Sequence, residues 1–195
     1  MTPETRRAFP PGHLYLWVLR HAKAASGAPG GDHERPLTER GARDAAKLGT
    51  RLTAGAGSLA MAGPDGEPVP SPELVLCSTA ARTVATAALV FGGAGDDDPP
   101  PLRRERSLYG ASAPTALSAV REAGDGPRSV AIVGHNPGLF HLAWELLDPE
   151  SDGRDRLTAH GFPTCTLAVV ALPAPAWSEV GPASGWLCGV TSPPY

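Results

Sequence analysis

Two arginines and two histidines stand where apolar segments of this chain give way to polar ones. Arg20 and His21 end one apolar run, and His135 follows a second. Arg82 comes shortly after a third. Arginine offers planar, bidentate donors to a phosphoryl group, and histidine can be a neutral nucleophile at one position and a charged donor at another. These residue types suit phosphoryl transfer through a covalent phosphohistidine, and we expect His21 to be the nucleophile.

The elements that must position these side chains are predicted by the alternation of apolar and amphipathic stretches. Short apolar runs are typical of strands buried on both faces of a sheet, and stripes at helical spacing are typical of helices. Their order predicts an α/β three-layer sandwich with a mostly parallel central sheet, helices on both faces and antiparallel strands at one edge. Strands are expected at 14–19, 73–77, 102–108, 129–134, 165–172 and 186–190, and helices at 38–52, 80–91, 113–123 and 139–147.

In such a sheet the carboxyl ends of the parallel strands open on one face, where ligands bind. A cation such as Arg82 in the first turn of a helix is explained if an anion binds there. We expect Ser78 or Thr79 to cap the helix that carries Arg82. Asn136 is expected to cap the helix after His135, with a proline as its first residue.

Composition places the chain among globular proteins. Hydrophobic residues make up 42% and charged residues 19% of the 195 positions, which excludes a disordered chain. The net charge of −3 gives no reason to expect nucleic acid or an anionic membrane as a partner. We expect one domain over 14–191, with a flexible arm over 1–13 and a tail over 192–195.

The cysteines and the N-terminal stretch indicate a cytoplasmic protein. Cys77, Cys165 and Cys188 lie far apart, which suits a reducing compartment. No Cys/His pair has the spacing of metal ligands, so we expect no metal and no other cofactor. The N-terminus lacks the apolar region of a signal peptide, and no apolar run approaches the length of a membrane span.

Three motifs in this order resemble those of the histidine phosphatase superfamily, which has the phosphoglycerate-mutase-like fold. They are LRHAKA at 19–24, STAART at 78–83 and VGHNPG at 133–138. The RHAK form, DHERPLTERG at 32–41, LYGAS at 108–112 and GHNPG are similar to the short branch typified by the SixA phosphohistidine phosphatases. The resemblance covers about residues 14–172. It implies that His21 is transiently phosphorylated, that Arg20, Arg82 and His135 bind the phosphoryl group, and that no metal is needed.

Two departures from the superfamily's pattern concern the proton donor. Asn136 stands where the acid-phosphatase branch usually has an aspartate. The nearest candidate for the glutamate of the mutase-like branch is Glu105. An imidazole can leave from phosphohistidine near neutral pH, whereas an alkoxide leaving from an ester needs a proton. The pattern therefore favours a labile P–N or anhydride substrate over a phosphate monoester, and we expect a phosphorylated protein as the partner.

The loop over 22–36 is longer than is usual after a central strand, which suggests a function. Lys23, Ser26 and Arg35 are its candidates for contact with phosphate or substrate, and Asn136, beside His135, is another. His33 could also be a solvated residue of this loop.

Three other functions fit parts of the pattern. A small-molecule phosphatase or mutase of the same fold would use the same four residues, although mutases commonly rely on longer insertions. A non-catalytic protein that senses phosphate or a phosphoprotein would need fewer of them. A metal hydrolase is remote, because the histidines are irregularly spaced and acidic partners are missing. Its ligands would come from His13, His21, His33 and His135.

Overall fold

A six-stranded sheet lies at the centre of the protein, seen in a computed structural model that describes residues 12–53, 59, 61–93 and 98–195. The strand order is β3-β2-β4-β1-β5-β6. Most of the arm expected over 1–13, and parts of the loops expected over 53–72 and 92–101, lie outside the described residues. The strands are β1 (Leu14–Arg20), β2 (Leu74–Ser78), β3 (Leu102–Glu105), β4 (Ser129–Gly134), β5 (Leu167–Leu172) and β6 (Trp186–Thr191).

The predicted mixture of parallel and antiparallel strands is confirmed. Strand β1 pairs in parallel with β4, and β2 pairs in parallel with both β3 and β4. Strand β5 runs antiparallel to β1, and β6 antiparallel to β5. The carboxyl ends of β1 to β4 therefore meet at one edge of the sheet. β3 is shorter than expected, because residues 106–108 turn into a 3-10 helix that buries Leu108.

Helices cover both faces of the sheet, as the sequence predicts. α1 and α2 contribute to the core on one face, whereas α3, α4 and α5 contribute to the core on the other. The helix α5 was not predicted, because its sequence buries only Gly153 and Leu157 and so has no apolar stripe. The helices are α1 (Glu39–Thr53), α2 (Ala81–Phe91), α3 (Ala113–Arg121), α4 (Gly138–Leu146) and α5 (Gly153–His160).

Strand β1 lies inside the sheet, paired with β4 on one side and β5 on the other. Its side chains alternate between the two cores, so that Leu16 and Val18 pack on one face and Trp17 on the other. The indole Nε1 of Trp17 also donates to Ser129 Oγ on β4, over 3.0 Å. Because both faces are covered, an apolar run without polar alternation is stable here. The strand ends at Arg20, directly before His21.

The described residues contain no helix long and apolar enough to cross a membrane. Tyr195, in the expected tail, packs back on the domain, where its hydroxyl donates to the carbonyl of Cys165.

Candidate active site

One cavity of about 510 Å³ opens at the carboxyl ends of β1, β2 and β4. It brings together most of the residues that the sequence singles out. Ser26 is exposed and does not line the cavity. Glu105 does not line it either, and its carboxylate lies 2.6 Å from Arg103 Nε. The lining residues are Arg20, His21, Lys23, Ala24, Asp32, Arg35, Arg82, Tyr109, Gly110, His135, Asn136 and Thr164.

His21 is held by the backbone on both sides. Its N–H donates to the carbonyl of Gly134, and its carbonyl accepts from the N–H of Cys165, over 3.1 and 3.0 Å. Its ring Nδ1 lies 2.8 Å from the carbonyl of Ala22. Because a carbonyl oxygen only accepts, Nδ1 must carry the proton. The Nε2 atom of neutral His21 therefore has the lone pair that a nucleophile needs.

The environment of His21 disfavours its charged form. Burial lowers the pKa of His21 to about 4, and the hydrogen bond to Ala22 opposes this shift only in part. The nearby cations of Arg82 and Arg20 lower the pKa further. The ring is consequently neutral throughout the neutral pH range, and protonation begins only as the pH approaches 4.

A titration of His21 checks this conclusion. In the ligand-free protein, we expect the ring proton of His21 to shift with a midpoint near pH 4, because its pKa is lowered to about 4. The measurement is a proton–carbon NMR titration of the ring Cε1–H groups, with His21→Gln used to assign the resonance. A midpoint near the ordinary histidine value of about 6.5 would contradict the neutral, buried ring.

His135 presents the opposite tautomer. Its Nε2 lies 2.9 Å from Ser78 Oγ, and its Nδ1 lies 3.4 Å from Arg82 Nη2. Since a guanidinium only donates, Nδ1 accepts and Nε2 carries the proton. Burial, and then the proximity of His21 and Arg82, lower the pKa of His135 to about 3. The two imidazole rings lie edge to face with centroids 5.2 Å apart.

The predicted caps of the two neighbouring helices are wrong. α2 begins after Ala80 without a side-chain cap, because Ser78 Oγ pairs with His135 and Thr79 Oγ1 with His33. α4 has Pro137 at its N-cap position, also without a side-chain cap. Ser78 and Thr79 bond to histidine side chains, and Asn136 to a distant carbonyl, instead of capping the helix ends.

Asn136 and Arg20 share one acceptor. Asn136 Nδ2 and Arg20 Nη1 both donate to the carbonyl of Phe162, over 3.0 and 2.9 Å. Phe162 is fully buried in the segment before β5, with a φ of 45° that side chains rarely adopt. Arg20 Nε is buried and has no partner within the described residues. That N–H can donate to an anion in the cavity.

Arg82 is 5% exposed, and Asp32 occupies its outer side. Its Nη1 donates to the Asp32 carbonyl over 2.6 Å, and its Nη2 to Asp32 Oδ2 over 3.0 Å. The same carboxylate accepts from the Tyr109 hydroxyl and from Arg35 Nη1. These hydrogen bonds, with that of Tyr109 foremost, hold the pKa of Asp32 well below its usual range.

Three lining residues with polar side chains were missed as individuals by sequence reasoning. Asp32 and Tyr109 lie inside the stretches 32–41 and 108–112, so the resemblance to the SixA branch already marked their neighbourhood. Thr164 carries no signal of its own. It reaches the cavity only because β5 starts beside the end of β1.

The loop after His21 is attached to the start of α1. The carbonyl of Lys23 accepts from the N–H and the hydroxyl of Thr38, over 2.9 and 3.1 Å. Thr38 Oγ1 in turn accepts from the N–H of Gly41, as in an N-cap. A Cβ on Gly41 would lie 2.1 Å from the Lys23 carbonyl oxygen. Only glycine lets α1 approach the loop this closely.

Gly41→Ala is expected to destabilise the protein and to displace Lys23. The clash is with backbone, so relief requires a shift of the chain two residues after His21. We expect a loss of about 1–3 kcal/mol in the free energy of unfolding, as for other overpacked positions. Urea unfolding measures it. Gly27→Ala, where an added Cβ meets nothing within 4 Å, is the matched control and should leave stability nearly unchanged. Equal stability of both variants would contradict the close approach.

Comparison with known proteins then places the chain. No family model matches it. An uncharacterised protein of Mycobacterium tuberculosis strain H37Rv is 34% identical over 179 residues, which cover 90% of this chain and 99% of the relative. The solved “Putative Phosphohistidine Phosphatase SixA” of Nakamurella multipartitia is 31% identical with a TM-score of 0.77, over 95% of this chain and 99% of that one. The chain belongs to the SixA-like histidine phosphatases.

A second solved protein of the same name, from Agrobacterium tumefaciens, is 28% identical with a TM-score of 0.67. It covers 92% of this chain and 98% of its own. The predicted superfamily, branch and fold are thereby confirmed. This SixA-like chain is accordingly a phosphatase with the phosphoglycerate-mutase-like fold, and its substrates are phosphorylated. Among its described residues, no group of three His, Cys, Asp or Glu side chains is arranged to hold a metal ion.

Proposed function

We propose that this SixA-like phosphatase hydrolyses protein phosphohistidine through a covalent phosphoryl intermediate on Nε2 of His21. The observation that carries the proposal is the hydrogen bond from Nδ1 of His21 to the Ala22 carbonyl. It leaves a neutral nucleophile in a cavity that four cations line. Those cations are Arg20, Lys23, Arg35 and Arg82.

The proposed reaction has two steps, phosphoryl transfer to His21 and hydrolysis of the phosphorylated His21. In the first, the lone pair of Nε2 forms a bond to phosphorus while the P–N bond of the substrate breaks. The electron pair of that bond returns to the substrate's imidazole, which carries a proton on its distal nitrogen and so departs as a neutral ring. In the second, water attacks phosphorus, the P–Nε2 bond breaks, and the protons of water remain with phosphate and solvent. Arg20 and Arg82 donate to the phosphoryl oxygens, whose charge they stabilise throughout both steps. His135, whose Nδ1 faces Arg82, can donate to these oxygens only when Nδ1 is protonated.

Among the described residues that line the cavity, no carboxyl group is protonated and able to donate a proton to the leaving oxygen of an ester. Asp32 is the carboxylate among the lining residues, and three hydrogen-bond donors keep it ionised by lowering its pKa. Glu105 lies outside the lining and beside Arg103. An imidazole leaving group, with a pKa near 6.5, needs much less help than an alkoxide. This supports a P–N bond as the one that is cleaved.

A paired substrate assay tests the proposal. Phosphate release is measured from a phosphohistidine protein, a phosphoserine peptide and a sugar phosphate, each with and without a chelator. We expect kcat/KM for phosphohistidine to exceed that for the esters by about 10²–10⁴-fold, the usual contribution of an acid–base group. Faster turnover of the sugar phosphate would overturn the substrate assignment. Loss of activity with chelator would overturn metal independence, and Glu105→Gln should match the wild type.

The size of the cavity supports one alternative. A volume of about 510 Å³ lies within the range of small-molecule sites. A small-molecule phosphatase or mutase would therefore be favoured if a free phosphate ester were hydrolysed or isomerised faster than every phosphoprotein. A non-catalytic phosphate-binding protein would bind phosphate and release none from any substrate.

A further inference from the structure

One carboxylate joins three parts of the chain at the rim of the cavity. Asp32 Oδ1 accepts from Arg35 Nη1 over 2.6 Å. Asp32 Oδ2 accepts from Arg82 Nη2 over 3.0 Å and from the Tyr109 hydroxyl over 2.7 Å. Arg82 belongs to α2, Tyr109 to the turn before α3, and Asp32 and Arg35 to the loop after β1. No mechanistic step described so far uses this carboxylate.

The contacts fix the plane of the Arg82 guanidinium from two sides. Asp32 takes one N–H of each terminal nitrogen, with its carbonyl and with its carboxylate. On the inner side, Nη2 of Arg82 lies 3.4 Å from His135 Nδ1. A guanidinium binds a phosphoryl group well only when its planar fork is correctly turned, since its donors lie in one plane. Removing the carboxylate would leave Nη1 bonded to the Asp32 carbonyl and Nη2 with only its longer contact to His135, so the guanidinium could turn about that one short bond.

Tyr109 supports the same arrangement. Its hydroxyl donates to Asp32, and its ring edge lies against His135 with centroids 5.6 Å apart. The guanidinium carbon of Arg82 is 5.9 Å from the centroid of the Tyr109 ring. Tyr109 therefore contacts the Asp32 carboxylate, the His135 ring and the Arg82 guanidinium.

Asp32 contributes little to the packing of the fold. Half of its side chain is exposed, at 52%, and it lies in a 3-10 turn without buried residues. Its pair with Arg35 is open to solvent on both sides, and such pairs stabilise a protein weakly, whereas in its pair with Arg82 only the Asp32 side is exposed. The bonds that meet at Asp32 are thus better explained by the site than by stability.

We infer that Asp32 is a positioning residue that turns the Arg82 guanidinium towards the transferred phosphoryl group, with Tyr109 holding the carboxylate in place. The inference rests on the proposed function. Asp32 acts on the transition state, because a correctly oriented Arg82 guanidinium stabilises it most when charge develops on the phosphoryl oxygens. Asp32 itself touches no reacting atom.

A double-mutant cycle tests the inference, with phosphoimidazole as the substrate. In the wild-type background, Asp32→Asn should lower kcat by about 10–100-fold with little change in KM, as expected for a lost transition-state interaction. In an Arg82→Lys background, the same change should cost at most about 2-fold, because residues that act through one another are not additive. Tyr109→Phe should show a smaller loss. Glu34→Gln, a neighbouring acid that contacts His33, should leave kcat unchanged.

A second readout does not depend on turnover. Nitrogen-15 relaxation of the Arg82 Nε–H group should report a rigid side chain in the wild type and an order parameter near or below about 0.6 in Asp32→Asn, the flexible range. Arg121, whose Nε donates to the carbonyl of Val180, is the reference arginine and should not change.

Several results would overturn the inference. One is an equal, additive loss of kcat in both backgrounds, and another is an Arg82 side chain that stays rigid in Asp32→Asn. A third is tighter binding of inorganic phosphate with unchanged kcat, which would make Asp32 a competing anion. These outcomes leave the proposed function intact if His21→Ala remains inactive. Turnover that persists in His21→Ala would instead overturn the proposed function. The double-mutant cycle of Asp32 and Arg82 would then still be measured as kcat for that remaining turnover.

Discussion

Replacing His21 with alanine is expected to lower kcat for the proposed phosphohistidine hydrolysis by at least about 10⁴-fold, the scale seen when a covalent nucleophile is removed. The reason is geometric and electrostatic. The backbone fixes His21 between Gly134 and Cys165, and its tautomer leaves Nε2 unprotonated. None of the other groups that line the cavity combines a neutral lone pair with this rigid attachment. His135 cannot substitute, because the lone pair of its neutral ring is on Nδ1, which accepts from Arg82 Nη2.

Quenched-flow labelling gives the matching direct measurement. Wild-type protein mixed with radiolabelled substrate should retain acid-labile, base-stable phosphate, and His21→Ala should retain none. His141→Ala, which changes an exposed histidine of α4, serves as the control and should label normally. Substantial kcat in a folded His21→Ala protein would show that another group, or water, attacks phosphorus.

Arg82→Ala is expected to lower kcat by about 10²–10³-fold, the typical cost of losing one preorganised donor to a developing oxyanion. Arg82 is buried, lies beside His135 and lines the cavity. Arg82→Lys restores the charge and lacks the planar fork, so it should recover only part of the loss. Initial-rate kinetics with saturating phosphohistidine protein measure both variants.

The control for these arginine variants is Arg106→Ala, at an exposed position after β3. It should leave kcat and KM unchanged. If Arg82→Lys were as active as the wild type, a single positive charge would suffice and the bidentate role of Arg82 would be wrong. Thermal unfolding of each variant separates a lost contact from a lost fold.

The parts of the fold that can be predicted from sequence are those with a direct physical signature. Strands buried on both faces have uninterrupted apolar runs, and β1, β2 and β4 were located within one residue of their observed ends. Because these three strands are parallel and adjacent, their last residues had to converge. The meeting of Arg20, His21, Arg82 and His135 in one cavity follows from that geometry.

The rest depends on contacts that have no local signature. A serine or asparagine before a helix is ordinarily its cap, but Ser78 and Asn136 have stronger partners in His135 and Phe162. Asp32 and Tyr109 are 77 residues apart in sequence, and only the folded loop shows that they meet. Helix α5 was missed because a helix with so few buried residues looks like a polar loop.

The carbonyl of Phe162 has a consequence for the chain as it is synthesised. Arg20 donates to an acceptor that follows it by 142 residues. A nascent chain extended as far as residue 160 already contains His21, Arg82 and His135, yet it lacks the group that directs Arg20. Phosphate release is therefore expected only once the segment that contains Phe162 has packed beside Arg20. A translation intermediate with the parallel strands in place would hold an incomplete anion site. We expect it to hydrolyse no substrate, because the acceptor that orients Arg20 is synthesised later.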